Sequence, residues 1–349
     1  MRRPIGSLRA ASVVLVALVL GCHGCRSGER GRDSECPEVK PTKALAPGLS
    51  GHIAVLSTTN GGQLCQFVFV MAANGSGARP ITPPVIAHFY AELSPDGLQV
   101  AFLGSCVPRT EDLVASLVGH LDLCVINVDG SGLRTVLQEP GISDMAWSPD
   151  GKRFAFGRRV GEGKTEIHTV AVDGGDERPV TNDGASSTQP TWSPDGKWLA
   201  YVSNKDGPYQ IYRISVNGGV PMLLTGGSRI NMGPAWSHDG KHIAFYSNRS
   251  GKPDSPLLTE MRKGPGNGNL PLDGAPDIYV MEVDGSNVVR LTNGASANRG
   301  PSWSPDDRRL VFTTDRDKRY EAYVMAADGT EQRRVSNLPR GSEFASWSV

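Results

Sequence analysis

Seven histidines and six cysteines are the residues of this 349-residue chain best suited to metal or covalent chemistry. No His-Glu-x-x-His motif occurs, so the sequence does not encode a helical zinc site with an adjacent general base. The histidines are scattered over different segments, namely His23, His52, His88, His120, His168, His238 and His242. Their spacing does not predict a metal centre.

Nucleophile and phosphate motifs give equally little support for catalysis. No Gly-x-Ser-x-Gly segment occurs, so the strained turn that exposes the serine of α/β-hydrolases is not encoded. The glycine-rich segment 264–268 has no helical pattern after it, which a phosphate-binding loop requires. Asp315 and Asp317 resemble the start of a calcium loop, but the glycine and final glutamate of that loop are missing. The sequence therefore predicts no metal or other cofactor and favours a protein that is not an enzyme.

Residues 1–21 are typical of an export signal. Arg2, Arg3 and Arg9 give a positively charged start, and a short apolar run over residues 10–20 follows. This run is too short to span a bilayer as a helix. We therefore expect the chain to be exported.

The apolar run ends in Val-Leu-Gly-Cys22, which resembles the bacterial lipobox, in which the cysteine is lipidated and becomes the mature N-terminus. An ordinary secretory signal with a chance cysteine is the alternative. His23 follows in place of the aspartate typical of inner-membrane retention, so the resemblance favours an outer-membrane lipoprotein facing the periplasm or the cell surface. Residues 22–50 are rich in Gly, Pro and charge, which predicts a flexible tether.

Export would place the remaining cysteines in an oxidising compartment, where disulfides persist. Cys106 and Cys124 flank an insertion between two predicted strands, so we expect a disulfide between them. Closing a loop of this length would stabilise the fold by about 3 kcal/mol. Cys36 with Cys65 is a further candidate pair, and the pairing of Cys25, Cys36 and Cys65 stays open.

Six copies of one short pattern organise the rest of the chain. In five of them a turn with the sequence Ser-Pro-Asp-Gly, or a close variant, follows an aromatic or apolar residue, and the sixth, Trp347-Ser-Val, is cut off by the end of the chain. Successive copies are 44 to 67 residues apart, and most intervals are close to 44, the spacing of a repeated β unit. The copies begin at Leu93, Trp147, Trp192, Trp236, Trp303 and Trp347. A second pattern recurs at nearly the same intervals. Each unit has an Asn-Gly or Asp-Gly dipeptide, typical of a hairpin turn, between two apolar runs. These turns start at Asn74, Asp129, Asp173, Asn217, Asp284 and Asp328.

Each unit predicts a four-stranded antiparallel sheet. In the third copy the strands are expected at 190–193, 197–203, 210–216 and 221–225, joined by turn sequences. The C-terminus supplies only a first strand, at 345–349, and the N-terminal part supplies the other three. Because each piece alone would expose unpaired strand edges, the sequence predicts an all-β fold, a six-bladed propeller closed by one C-terminal and three N-terminal strands.

The repeats resemble the TolB-like propeller repeat over residues 51–349. The matching segments are Trp-Ser-Pro-Asp-Gly-Lys at Trp192, Ile-Ala-Phe at Ile243, Ile-Tyr-Val-Met at Ile278 and Leu-Thr at Leu291. TolB itself has an α/β domain before its propeller, for which residues 22–50 leave no room. The resemblance therefore implies a TolB-like propeller that is not TolB itself.

The net charge and the positions of the loops limit the functions that the protein could have. The 36 basic and 36 acidic residues balance, which argues against nucleic acid as a partner. Insertions at 104–122 and 249–276 join second and third strands, so both project from one face, where recognition is expected. Residues at or before the first strands should surround the channel mouth on this face. They are Phe89, Tyr90, Asp144, Gln189, Arg229, Asn231, Arg299 and Glu343.

This mixture of aromatic, charged and amide groups suits a peptide segment or a glycan. We expect a monomeric, lipid-anchored scaffold that binds an envelope protein or peptide. A glycan- or peptidoglycan-associated binding module is one alternative. A channel-centred enzyme such as a lyase is another, although only His88 among the histidines would be close to the channel.

Overall fold

The structure is a computed structural model that describes residues 51–59, 65–82, 88–104, 121–138, 141–249, 275–293, 296–338 and 342–348. The predicted signal 1–21, the predicted tether 22–50 with Cys22, Cys25 and Cys36, and most of both insertions lie outside the described residues.

Five blades follow one another along the chain, each a four-stranded antiparallel sheet whose strands pair in sequence order. Blade 1 contains β4 (His88–Leu93), β5 (Gln99–Gly104), β6 (Asp122–Asn127) and β7 (Arg134–Leu137). Blade 2 contains β8 (Ile142–Trp147), β9 (Arg153–Gly161), β10 (Lys164–Ala171) and β11 (Arg178–Pro179). Blade 3 contains β12 (Ser187–Trp192), β13 (Trp198–Ser203), β14 (Gln210–Ser215) and β15 (Met222–Leu223). Blade 4 contains β16 (Asn231–Trp236), β17 (His242–Ser247), β18 (Asp277–Glu282) and β19 (Val289–Arg290). Blade 5 contains β20 (Asn298–Trp303), β21 (Arg309–Thr314), β22 (Glu321–Ala326) and β23 (Arg333–Arg334).

The closing blade joins the two ends of the propeller. It contains β1 (His52–Thr59), β2 (Cys65–Ala72), β3 (Arg79–Pro80) and the C-terminal β24 (Glu343–Ser348). β24 pairs with β1, with Ile53 opposite Trp347, and the sheet order is β24-β1-β2-β3. The predicted six-bladed fold and its mode of closure are therefore confirmed.

Apolar side chains fill all six interfaces between neighbouring blades. Phe69 of the closing blade and Val311 of blade 5 belong to one buried cluster. Val68, on the opposite face of the same strand β2, belongs to the cluster shared with blade 1. Four further clusters join blade 1 to 2, 2 to 3, 3 to 4 and 4 to 5. The core is thus a closed series of interfaces between sheets, which removes most of their apolar surface from water.

The repeated tryptophans connect each blade to the one before it. Trp147 donates its indole N–H to the carbonyl of Glu92 at 3.3 Å, and Trp192 does the same to Ala146 at 3.3 Å. Trp303 donates to the carbonyl of Ala235 at 3.1 Å. Each acceptor belongs to the first strand of the preceding blade, so the same bond recurs from blade to blade. The indole nitrogen of Trp236 is buried without an acceptor, and this interface relies on packing.

The Ser-Pro-Asp-Gly turns are closed by their own side chains. The serine hydroxyl donates to the aspartate two residues later, as in Ser193 to Asp195 at 2.6 Å, and it accepts the backbone N–H of Trp198 at 2.9 Å. The same hydroxyl–carboxylate pair recurs at Ser94, Ser148, Ser237 and Ser304. The hydroxyl donors lower the pKa of each of these aspartates. The motif therefore specifies a turn that is stabilised by an ionised carboxylate.

Cys124 lies fully buried in β6 and is disulfide-bonded. Its sulfur is 3.9 Å from the carbonyl oxygen of Gly104, the last residue of β5. Its partner is not among the described side chains, so the pairing with Cys106 stays a prediction.

Trp347→Ala tests whether the closing blade stabilises the whole propeller. Trp347 is 7% exposed within the interface with blade 5, so we expect its truncation to lower the free energy of unfolding by about 3–5 kcal/mol. Trp198 is 39% exposed on the outer surface and serves as the matched control, with an expected loss of about 1 kcal/mol or less. Denaturant unfolding followed by circular dichroism measures both. Equal losses for the two variants would contradict closure as the main source of stability.

Candidate binding site in the central channel

The first strands of all six blades line a central cavity of about 510 Å³. Proline, alanine and tryptophan cover much of its wall, while polar side chains gather at the end where these strands begin. Pockets with an apolar wall and a few convergent polar groups are typical ligand sites. The channel is therefore the candidate functional site.

A bulge in the first strands shapes this polar end. The pairing of every first strand with the second shifts register near the strand start. At this position Tyr90 and Gln189 have φ angles of 49° and 52°, and Gly233 and Gly300 have 61° and 56°. Left-handed backbone is unfavourable for a tyrosine or glutamine, and bulges next to binding sites redirect side chains. In this protein the bulge places Tyr90 and Gln189 on the channel wall.

Asp144 is at the centre of a hydrogen-bonded cluster contributed by three blades. Its Oδ2 accepts from the backbone N–H of Gln189 at 2.9 Å and from the hydroxyl of Ser143 at 2.9 Å. The Tyr90 hydroxyl also bonds to this carboxylate. Burial raises the pKa of Asp144, and these donors oppose the rise. Burial and the adjacent Asp144 raise the pKa of Tyr90 well above its usual value, so the phenol stays protonated.

Gln189 extends the cluster into blade 4. Its Oε1 accepts the backbone N–H of Gly233 at 2.8 Å, and its side chain bonds to the hydroxyl of Tyr246. Tyr246 comes from the second strand, β17, and passes over Gly233, where a Cβ would lie 2.5 Å from the tyrosine ring. The glycine thus makes room for an aromatic ring in the channel wall.

Arg299 of blade 5 brings a positive charge to the same end. Its guanidinium lies over the ring of Tyr320, 5.5 Å from the ring centroid. Its Nε is buried and has no hydrogen-bond acceptor among the described residues. The next residue, Gly300, borders open space, because a Cβ built on it would meet no atom of a non-adjacent residue within 4 Å.

A single carboxyl group lies deeper in the channel. Glu92 stands one residue before the aromatic or apolar position of its repeat, where the other units have small residues. These are Ala146, Thr191, Ala235, Ser302 and Ser346. Burial raises the pKa of Glu92 to about 8, although the backbone N–H of Trp147 donates to the carboxyl group.

The structure places four of the eight residues predicted at the mouth on the channel wall, namely Tyr90, Asp144, Gln189 and Arg299. Arg229 and Asn231 do not line this cavity. Asn231 is fully buried, donates to Gln210 at 2.7 Å and accepts from Arg249 at 2.6 Å, which ties a loop to the blade. The side chains of Phe89 and Glu343 lie outside the described part of the structure.

Sequence reasoning missed Tyr246, Tyr320 and Glu92. It assigned only the first strands and the loops before them to the mouth, whereas Tyr246 lies on a second strand and Tyr320 on a connection between second and third strands. The glycine at position 233 was the available signal, since a glycine facing the neighbouring strand admits a bulky ring there.

The described ranges contain neither a cluster of metal ligands nor a helix that could span a membrane. No group of three or more histidine, cysteine, aspartate or glutamate side chains is arranged there to hold a metal ion. Over the same ranges, no helix has the length and apolar character needed to cross a membrane. The side chain of His88 is not described.

Comparison with known families gives the same architecture. The family model described as "TolB beta propeller domain" matches residues 119–255 and 269–349. The chain belongs to the TolB β-propeller family. The solved structures of TolB from Acinetobacter baumannii and of a putative TolB from Agrobacterium tumefaciens superpose with TM-scores of 0.67 and 0.59. Their identities of 18% and 23% make this a likeness of fold. The alignments cover 87% and 84% of this chain, and 68% and 91% of those chains.

The curated relatives of this TolB-family propeller are matched only in part. An uncharacterised protein of Agrobacterium fabrum is 30% identical over 58% of this chain and 46% of its own length. The uncharacterised peptidase YuxL of Bacillus subtilis is 33% identical over 21% of this chain, and dipeptidyl-peptidase 5 of Porphyromonas endodontalis is 34% identical over 32%. The matches span 11% and 16% of those two proteins. The chain thus spans less than half the length of these relatives.

Gly233→Ala tests the close contact between the bulge and Tyr246. Both Gly233 and Gly300 have left-handed φ angles, so alanine at either position should cost about 1–2 kcal/mol of stability. Only at Gly233 would the new methyl group meet a ring, at 2.5 Å, which should add about 1–3 kcal/mol. Urea unfolding of the two variants separates backbone strain from the clash. Equal costs would show that Tyr246 does not occupy this space.

Glu92→Gln tests the buried carboxyl group through its pH dependence. Because the pKa of Glu92 is raised above 4.5 in the folded protein, its stabilising contribution is complete below pH 4.5 and declines until about pH 8. The glutamine variant lacks this decline, so its melting temperature relative to wild type should rise from pH 5 to pH 8 and then level off. A difference that does not change with pH would refute the raised pKa.

Proposed function

We propose that this protein is an exported, lipid-anchored scaffold of the cell envelope that binds a segment of a partner protein at the mouth of its central channel. Membership of the TolB propeller family supports a binding role, because propellers are scaffolds whose functions reside in their sites and loops. We do not assign it a catalytic activity.

One observation carries this proposal. Five blades contribute Tyr90, Asp144, Gln189, Tyr246 and Arg299 to the same end of the central cavity. The repeats are alike at their turns and tryptophans, yet they differ from one another at these channel positions. A purely architectural role would not require a tyrosine and a glutamine in left-handed backbone, so the strain at Tyr90 and Gln189 supports a binding function.

The loops around this end extend the proposed surface. The strand order places the insertions after Gly104 and after Ser247 between the second and third strands of blades 1 and 4, at the end where the first strands begin. In this proposal the Cys106–Cys124 disulfide fixes the base of the first insertion, and the partner contacts both loops. Lipidation of Cys22 would keep the propeller at the membrane through the tether at 22–50.

The peptidase names of two relatives do not alter the proposal. Their matched segments amount to 11% and 16% of those proteins, so the likeness covers only a small part of either protein. Of the functions considered, the channel residues best support that of a non-catalytic scaffold.

Site-specific photocrosslinking in the full-length protein tests the partner site. Benzoylphenylalanine in place of Tyr320 should capture a protein in envelope membranes, because Tyr320 lines the channel mouth. The same residue in place of Trp198, on the outer surface, is the matched aromatic control and should give no such adduct. Adducts are identified by mass spectrometry before and after protease digestion.

A second arm addresses the anchor. Cys22→Ser should move the protein from the membrane fraction to the soluble fraction and leave its melting temperature unchanged. Adducts that form equally from both probe positions, or that resist protease and yield to a glycan hydrolase, would contradict a protein partner at the mouth. Retention of Cys22→Ser in the membrane would contradict the lipid anchor.

A further inference from the structure

We propose that the ligand of the channel mouth is anchored by a carboxylate group that pairs with Arg299. This inference rests on the proposed function and specifies the chemistry of the segment that the channel accepts. The group could be an aspartate or glutamate side chain, or the C-terminal carboxylate, of an extended peptide.

The Nε of Arg299 has no hydrogen-bond acceptor among the described residues. A guanidinium carries five N–H donors and stays charged at any pH that a protein tolerates. At Arg299 the Nε is fully shielded from solvent and has no acceptor in the described part of the chain. Its guanidinium lies over the ring of Tyr320, and its charge also acts on the hydroxyl of Tyr246, where it opposes the rise in pKa that burial causes. A partly buried cation without an acceptor is unfavourable unless a ligand supplies one.

Other arginines at the same end of the blades have such acceptors. Arg249 donates to Asn231 at 2.6 Å while it stacks on Phe245. Arg334 lies 2.6 Å from the buried carboxylate of Glu321, and Arg290 lies 2.6 Å from that of Asp277. These three guanidinium groups have oxygen acceptors within the protein, whereas the Nε of Arg299, a residue that lines the cavity, has none among the described residues.

One carboxylate of the same cavity is already hydrogen-bonded within the protein. Asp144 lines the cavity, and its carboxylate accepts from Ser143, from the backbone of Gln189 and from Tyr90. These bonds make Asp144 part of the channel wall.

The surroundings favour a planar monoanion. The guanidinium carbon lies over the Tyr320 ring, 5.5 Å from its centroid, and the edge of a guanidinium offers the two parallel hydrogen bonds that a carboxylate accepts. Gly300, the next residue on the channel wall, borders open space. Asp144 and Glu92 add carboxyl groups to the same channel, so a dianion such as phosphate would meet more repulsion than a carboxylate.

Nuclear magnetic resonance of the Arg299 Nε–H group tests the inference on the intact protein. The probe is N-acetyl-glutamate α-methylamide, which carries a side-chain carboxylate, and N-acetyl-glutamine α-methylamide is the neutral match. N-acetylalanine presents a C-terminal carboxylate, and inorganic phosphate presents a dianion. We expect the Nε–H signal to shift with the glutamate probe or with N-acetylalanine, and whichever shifts it more identifies the source of the carboxylate.

Two substitutions accompany the titration. Arg299→Gln should weaken binding of the carboxylate probe at least tenfold, which is about 1.4 kcal/mol. Arg299→Lys should lose part of the affinity, because lysine keeps the positive charge but lacks the paired N–H donors of the guanidinium. Arg333→Gln is the matched control, since this arginine of the same blade also has a buried Nε without an acceptor but does not line the channel. It should leave binding unchanged.

Several results would overturn the inference. Equal shifts with the glutamate and glutamine probes, stronger binding of phosphate, or unchanged affinity in Arg299→Gln would each exclude a carboxylate anchor. Photocrosslinking distinguishes this failure from failure of the proposed function. A protein adduct at Tyr320 that persists in Arg299→Gln would retain the scaffold function and reject the anchor, whereas loss of the adduct in that variant supports both.

Discussion

Packing between neighbouring sheets is the interaction on which every other feature of this protein depends. A four-stranded blade exposes an apolar face on each side, and each face is buried only because another blade covers it. Val68 and Phe69, adjacent in β2, belong to two different clusters, one shared with blade 1 and the other with blade 5. No blade can therefore be complete without two neighbours. Packing alone has no preferred direction. The hydrogen bonds from the indoles of Trp147, Trp192 and Trp303 to backbone carbonyls fix how the first strand of each of these blades lies beside the first strand of the preceding blade.

That constraint also explains where the binding site can vary. Residues that close turns or fill interfaces are repeated from unit to unit, because each blade packs against its two neighbours in the same way. Side chains at the bulge point into the channel and contact no repeated partner, so they are free to differ. Tyr90, Asp144, Gln189 and Gly233 occupy this region in four consecutive blades, and together they build one asymmetric surface from a nearly symmetric frame. The hydrogen bonds from Asp144 through Gln189 to Gly233 then hold three blades in register at the mouth.

The sequence predicts the fold well because its signals are local. Each Ser-Pro-Asp-Gly turn, such as the one at Ser193, contains its own hydroxyl–carboxylate pair, and the incomplete units at the two ends reveal the shared blade. The site is harder to predict from the sequence, because its geometry depends on strand register and on distances between blades. Asn231 was expected at the mouth from its place at a strand start, but a residue on that side of the bulge points into the blade, where Gln210 and Arg249 bind it. Tyr246 reaches the channel only because Gly233 lies opposite it, a relation that no single repeat displays.

The pairing of β24 with β1 has a consequence for biosynthesis. Translation proceeds from the N-terminus, so β1 emerges nearly three hundred residues before the strand that covers its edge. Until Trp347 arrives, the inner edge of β1 and the outward face of blade 5 remain exposed, a state prone to aggregation. Folding of such a non-local topology is slow. A prematurely terminated chain would therefore lack the strand that covers this edge and would be prone to aggregate.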